Sequence, residues 1–274
     1  MTSADPLLAA RLTVDYPGKP GVLRDLSLDI RAGEIFGLVG ESGAGKSTLA
    51  LALLRLLYLK KGTASGELRF AGRDLMSMSE AEARYLRGRE LALVLQTPTS
   101  ALNPALRIGR QLREAWHAHA NGQRTDLDGK LAELMESVTL PADKEFLRRY
   151  PAQLSVGQAQ RVLIAMAIIH RPKLLIADEP GSALDAITNS EILKLFAQLN
   201  REMGMAILYI SHDLLSIASL CHRIAILQNG EIVECATPEK LFQQPQHPYT
   251  RSLIAALPHS PLENRGARAA NVAT

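Results

Sequence analysis

Cysteine is nearly absent from this chain of 274 residues; Cys221 and Cys235 are the only two. Their spacing suits neither a metal site nor a disulfide framework. Both are expected to pack as small apolar side chains in a reducing compartment. Net charge is also low, +3 at pH 7, too little to argue for a nucleic acid or an anionic surface as partner. Long apolar runs are missing. The two richest stretches, residues 49–59 and 162–169, are broken by Arg55 or flanked by Arg161, His170 and Arg171. Neither reaches the roughly 18–20 charge-free residues that cross a bilayer. Met1 to Pro6 do not lead into a basic-then-apolar signal. A soluble chain is expected, with any membrane role supplied through a partner.

Apolar residues make up 47% of the chain and charged residues 22%, ordinary values for a globular protein. The length allows one large α/β domain, or a domain with a subdomain. Residues 7–15 suit a strand, and residues 22–30 alternate almost strictly. Arg31 to Glu34 reads as a turn. The apolar run 35–39 then leads into a glycine-rich loop and helical periodicity over 46–57. Residues 91–95 and 174–177 are continuous apolar runs, as in strands buried on both faces. Between Gln96 and Ser155 the pattern turns helical, over 108–119, 127–138 and 144–150, with Asn121-Gly122 and Pro141 as breaks. The α/β alternation then resumes with helix 158–170, strand 174–178, helix 191–203 and strand 206–211. Asn229-Gly230, between 223–228 and 231–235, signals a hairpin. From about His259 the chain reads as an unfolded tail. The basic run at 84–89 reads as a solvated face. His117, His119, His170, His222, His247 and His259 read as surface or packing residues.

Chemistry concentrates in a few segments. Gly40-Glu41-Ser42-Gly43-Ala44-Gly45-Lys46-Ser47, followed by Thr48, fits the G-x-x-x-x-G-K-[ST] P-loop and lies between a strand and a helix. Its glycines let backbone N–H groups face phosphate oxygens, and the following helix points its positive end at the same anion. Lys46 adds a cation near the β- and γ-phosphates, and Ser47 offers a hydroxyl to Mg²⁺. Asp178 ends a buried apolar strand and Glu179 follows it. The first carboxylate suits the metal's water shell; the second can polarise an attacking water. Gln96 follows an apolar run, Leu154-Ser155-Val156-Gly157-Gln158 lies further on, and His212 follows the next strand.

In that order these segments resemble the nucleotide-binding domain of ABC transporters, over about residues 5–240. The resemblance implies an α/β fold: a P-loop NTPase of the ABC type, with an antiparallel β region and a helical subdomain inserted at about 97–157. It implies an ATPase with ATP and Mg²⁺ as cofactors. Gln96 matches the glutamine that contacts Mg²⁺ and senses the transmembrane partner. Ser155, Gly157 and Gln158 match the signature loop, usually LSGGQ. Asp178 and Glu179 match the metal-holding aspartate and catalytic glutamate, Asp185 belongs to the D-loop Ser182-Ala183-Leu184-Asp185, and His212 matches the switch histidine. Tyr16 sits where the family places an aromatic that stacks on adenine. Two departures stand out: Val156 replaces the first signature glycine, and Gly181 stands where Thr is most frequent. Function is expected to be retained, since Ser155 and Gly157 remain, with Val156 bearing on the strength of that half-site.

Two further stretches narrow the branch. Gln96-Thr97-Pro98-Thr99-Ser100-Ala101-Leu102-Asn103-Pro104 resembles the extended Q-loop of peptide/nickel permease ATPases. His247-Pro248-Tyr249-Thr250, within a segment at 241–258, resembles the HPYT stretch of the same group, ahead of a flexible tail at 259–274. No cysteine cluster follows it, so no iron–sulfur centre is expected. The branch implies an ATPase subunit of an importer for peptides or similar small solutes, nickel included, at the cytoplasmic face of the inner membrane. Its partners would be two transmembrane permease subunits, a second ABC ATPase (the same or different) and, indirectly, an extracytoplasmic solute-binding protein, with no nucleic acid. The alternative is an ABC-type ATPase of a soluble complex, such as a carbon–phosphorus lyase assembly. A DNA-repair or chromosome ATPase fits poorly, because the insertion has no heptad run or Cys cluster.

Overall fold

The computed structural model describes residues 5–120 and 127–257, apart from the Thr99 side chain. The break at Asn121-Gly122 and the tail beginning at His259 lie outside them. In chain order the strands and helices are β1 (Leu8–Tyr16), β2 (Lys19–Ile30), β3 (Ile35–Val39), α1 (Lys46–Leu53), β4 (Thr63–Phe70), β5 (Arg73–Asp74), α2 (Glu80–Leu86), β6 (Leu91–Val94) and α3 (Pro98–Ala101). Then come α4 (Ile108–His117), α5 (Leu127–Ser137), α6 (Lys144–Leu147), α7 (Val156–Ile168), β7 (Leu174–Asp178), α8 (Ala186–Met203), β8 (Ala206–Ser211) and α9 (Leu214–Ala218). The hairpin β9 (Arg223–Gln228) and β10 (Glu231–Ala236) precedes α10 (Pro238–Gln243) and α11 (Pro248–Ala255).

The two strand patterns of the sequence go to two different sheets. The alternating strands β1 and β2 join an antiparallel sheet of order β2-β1-β4-β5, and the continuous apolar strands join a six-stranded sheet of order β10-β9-β3-β8-β7-β6. All neighbours in the second sheet are parallel except the hairpin pair β9–β10. Successive residues of β3 explain why its run is unbroken: Ile35 and Val39 join one core, and Phe36 and Leu38 the other. The first core is shared with α4, α5, α7 and α8. The second is shared with α1 and the antiparallel sheet. Phe196, fully buried on α8 and edge-on to Tyr209 at 5.3 Å, anchors the first; truncating such a ring costs about 3–5 kcal/mol.

Several elements depart from the sequence expectation for local reasons. Helix α1 stops at Leu53 instead of running to residue 57, because Arg55 takes a left-handed φ of 54°. Helices α7 and α8 begin earlier than expected, at Val156 and Ala186, because Ser155 and Asp185 cap them with their side chains. Between residues 58 and 90, β4, β5 and α2 carry no strong periodicity; α2 starts with a Ser79–Glu82 capping box. The basic run at 84–89 is not a solvated face throughout. Arg87 pairs with Glu80 and donates to Leu54 O at 3.1 Å, and the Arg89 guanidinium lies 4.6 Å over the Tyr85 ring. Only one cysteine packs inside. Cys221 is buried, whereas Cys235 is exposed on the sheet-edge strand β10.

Candidate active site

Parallel pairing brings the distant motifs to one edge. Val39 lies beside Ser211, Asp178 beside Ile210 and Val94 beside Ala177. The loops that follow β3, β7, β8 and β6 therefore leave the sheet together at its carboxyl end, where open α/β sheets place ligands.

The loop after β3 is shaped by glycine at two points. Gly45 takes φ 112° just before α1, a conformation that L side chains rarely adopt. A Cβ on Gly40 would lie 2.4 Å from Leu227 O. The β9–β10 turn braces this loop from behind, since Gly230 N donates to Ala44 O at 3.1 Å. A cavity of about 320 Å³ opens over the loop, lined by Tyr16, Ser42, Gly43, Gly45, Lys46, Ser47, Thr48, Gln96 and Glu179, with Lys19 and Val22 at the same wall. Lys19 was not singled out by sequence; its only signal is its place at the start of β2, paired with Tyr16 across the β1–β2 turn. Gly40, Glu41 and Ala44 of the loop do not line this cavity.

One carboxylate collects the dispersed polar side chains. Glu179 Oε1 lies 3.2 Å from Lys46 Nζ, and both side chains are largely buried. Lys46 Nζ also donates to Gly40 O at 2.8 Å and Glu41 O at 3.1 Å. Glu179 Oε2 accepts from Gln96 Nε2 at 3.3 Å and lies 3.0 Å from His212 Nδ1. The backbone of Glu179 is itself unusual, at φ 48°, and is held by a bond from its N–H to Ile210 O at 3.0 Å. Backbone in this region is unfavourable for a non-glycine residue and clusters at functional sites. Asp178, one residue earlier, keeps Oδ1 shielded from solvent and, among the described residues, without a hydrogen-bond partner. Burial pushes its carboxyl above the usual range, partly offset by the Ser47 hydroxyl. An orphaned carboxylate oxygen beside a hydroxyl, with an amide nearby, is a donor set that suits a hard divalent cation.

The remaining candidates lie elsewhere. Ser155 Oγ accepts from Gln158 N, and Gln158 Oε1 accepts from Ser155 N, both at 3.1 Å. Gly157 lets α7 approach α8, for a Cβ there would sit 2.8 Å from Thr188 Cγ2. Asp185 caps α8 through Ile187 N and Thr188 N, both at 3.0 Å. Ser155, Gly157, Gln158 and Asp185 line a separate cavity of about 400 Å³ that shares no residue with the first. Val156 is 44% exposed at its mouth. The structure thus joins Lys46, Gln96, Glu179 and His212, and keeps the Ser155 loop apart from them.

The C-terminal tetrapeptide has its own local logic. Glu234 of β10 accepts from Gln246 N and His247 N at 2.9 Å each. His247 Nδ1 accepts from Tyr249 N, Pro248 occupies the first helical turn, and Thr250 is fully buried.

A P-loop nucleotide-binding domain is the class that this fold and site define. A family described as ABC transporter matches residues 23–182, and one described as the oligopeptide/dipeptide transporter C-terminal region matches residues 233–273. The chain belongs to the ABC transporter family. It is 42% identical over 246 residues to the glutathione import ATP-binding protein GsiA of Escherichia coli O157:H7, and 42% identical to that of Shigella dysenteriae serotype 1. Each match covers 88% of this chain and 40% of the relative, so the chain spans well under half the length of these curated relatives. Among solved structures, cbiO1 of Clostridium perfringens, part of the ABC transporter complex cbiONQ, has a TM-score of 0.75 at 24% identity over 93% of this chain and 97% of its own. That likeness is one of fold. The ATP-binding cassette MJ0796, a dimer in a post-hydrolysis state bound to ADP and Pi, has a TM-score of 0.71 at 27% identity, covering 84% of this chain and 98% of its own.

Proposed function

We propose that this chain is the ATP-hydrolysing subunit of an ABC importer for peptides or similar small solutes, working at the cytoplasmic face of the cell membrane. The observation that carries the reading is the meeting of Lys46, Gln96 and His212 on the Glu179 carboxylate, above a P-loop and beside Asp178. In this reading the N–H groups of residues 40–48 and Lys46 hold the phosphates, and Tyr16 takes the adenine. Ser47, Gln96 and Asp178 would hold Mg²⁺, which neutralises charge on the β- and γ-oxygens when bound. Glu179 orients and polarises the attacking water, and His212 holds the γ-phosphate side of that pair. Ser155, Gly157, Gln158 and Asp185 serve the phosphate bound by a second cassette, the role that their separation from Lys46 supports.

Among the described residues no helix is long and apolar enough to cross a membrane. The importer reading therefore assigns transport to two transmembrane permease subunits, with a second ABC ATPase and an extracytoplasmic binding protein that this chain does not touch. The helical subdomain at about 97–157 is assigned as their docking region, with 5–240 as the ATPase domain and 241–258 as its C-terminal segment. The two glutathione-import relatives and the match at residues 233–273 favour a peptide-type cargo. The test is affinity capture of the tagged chain from gently solubilised cells. Two multi-span subunits and a second cassette are the expected company. Recovery with soluble enzymes alone would move the chain to a cytosolic complex.

A further inference from the structure

Glu179 and His212 border a second cavity besides the phosphate pocket. It measures about 160 Å³ and lies behind the carboxylate, lined also by Gly181, Asn189, Tyr209, Ser211, Asp213 and Ser216. Its walls are polar apart from the Tyr209 ring. Asp213 and Ser211 are occupied by local bonds: Asp213 Oδ1 accepts from Leu215 N, and Asp213 N donates to Ser211 Oγ at 2.9 Å. Asn189 differs. Its Oδ1 is shielded from solvent and has no hydrogen-bond partner among the described residues.

Asn189 reaches this place because residue 181 has no side chain. A Cβ on Gly181 would lie 1.8 Å from Asn189 Oδ1 and 2.8 Å from its Cγ. The amide thus fills the volume that any other residue at 181 would claim. Gly181 has a negative φ, so backbone conformation does not demand glycine here; space does. Asn189 lines the cavity together with Glu179 and His212, and a polar cavity with room for several waters gives its amide a water to bond.

We propose that Asn189 is a positioning residue of the hydrolytic centre, reaching through the gap at Gly181 to hold an ordered water in the cavity behind Glu179 and His212. That water bonds the Asn189 amide on one side and the Glu179–His212 pair on the other. It limits the orientations of the carboxylate that faces the phosphate pocket. Gly181 and Asn189 form one unit: the small residue makes room and the amide uses it. A threonine at 181 would bring its own hydroxyl into the same volume, provided that residue 189 withdrew.

The proposal rests on the hydrolytic reading, and its test separates the two. A high-resolution crystal structure of the full chain should show a water within about 2.6–3.2 Å of the Asn189 amide and of Glu179 or His212. Steady-state hydrolysis by the captured complex should fall roughly 10-fold in kcat for Asn189→Ala, a size typical of outer-shell partners, with KM for ATP and the thermal midpoint unchanged. Asn189→Leu should lose as much, since it restores volume but not polarity. Gly181→Thr alone should be impaired, and Gly181→Thr with Asn189→Ala should recover most of the lost kcat, a coupling that independent sites would not show. Absence of the water, or wild-type kcat in both Asn189 variants, overturns the proposal. A wild-type complex that binds ATP without hydrolysing it overturns the hydrolytic reading instead, while the crystal structure still decides the water site.

Discussion

Around Glu179, polar side chains from three distant loops and the start of α1 are bonded to one another. Around Ser155, the capping side chains Ser155, Gln158 and Asp185 are satisfied within their own helical turns. Lys46, Gln96 and His212 lie 46 to 212 positions along the chain, yet reach one carboxylate at 3.0–3.3 Å. The Ser155 side chain caps α7 by accepting from Gln158 N, and the Asp185 side chain bonds the first turn of α8. The first region is a polar network wired inside one chain, the centre proposed for hydrolysis. The second is a rigid, exposed face with its geometry fixed and its surface open, bearing Val156 and the 76% exposed Ile187. A face of that kind is suited to meeting another molecule, and the difference assigns chemistry to one region and completion to the other.

The largest effect should come from breaking the wired region. Glu179→Gln removes the charge that Lys46 and His212 share and should lower turnover roughly 100- to 10,000-fold, while ATP remains bound. Retained hydrolysis in that variant would remove Glu179 from its role. His212→Ala should abolish turnover with nucleotide binding intact, measured by equilibrium binding of labelled ATP.

Breaking the open face should act differently. Ser155→Ala deletes the cap of α7 and should cost about 1 kcal/mol of stability. Turnover by the complex should fall with ATP affinity of the isolated chain unchanged. Equal loss of affinity in the isolated chain would place Ser155 at its own P-loop and end the comparison. Val156→Gly sharpens it further, because the side chain is exposed and its removal costs little packing. A change in turnover is expected, and an identical rate would make the substitution neutral.

The smallest expected shift is one of stability, in the nucleotide-free chain. Asp178 is half-buried, and that burial holds its carboxyl above the usual range. A carboxyl raised in the folded state favours folding while protonated, and that contribution is lost as pH rises through its folded value. At neutral pH the half-buried charge is therefore a cost. Asp178→Asn should raise the thermal midpoint of the nucleotide-free chain there, with the gain vanishing below about pH 3.9, even as Mg²⁺-dependent hydrolysis is lost. A lower midpoint at neutral pH would show that the charge is compensated.

Much of this site was legible in the residues. The P-loop glycines, the apolar run ending in Asp178, and the bounds of β3, β7 and β8 follow from patterns that neighbours along the chain impose. Element starts that depend on a single capping side chain were less legible, as the earlier onset of α8 at Ala186 shows. Strands β4 and β5 were not legible either. Their partners β1 and β4 supply the pairing, and short polar strands leave little periodicity of their own. Cys235 was expected inside because its residue type favours burial; its strand ends up at the sheet edge, which composition does not reveal.

The sequence by itself determined the class of chemistry and the family, because phosphate binding needs a fixed order of glycines, lysine and hydroxyl within a few residues. Tertiary structure alone decided which distant side chains meet. Parallel pairing carried Gln96 and His212 to Glu179, the sheet's turn at Gly230 braced the P-loop, and the missing side chain at Gly181 admitted Asn189 behind the carboxylate. The physical reason is range: a motif is a constraint among neighbours, whereas a buried network is a constraint among strands that only the folded sheet sets side by side.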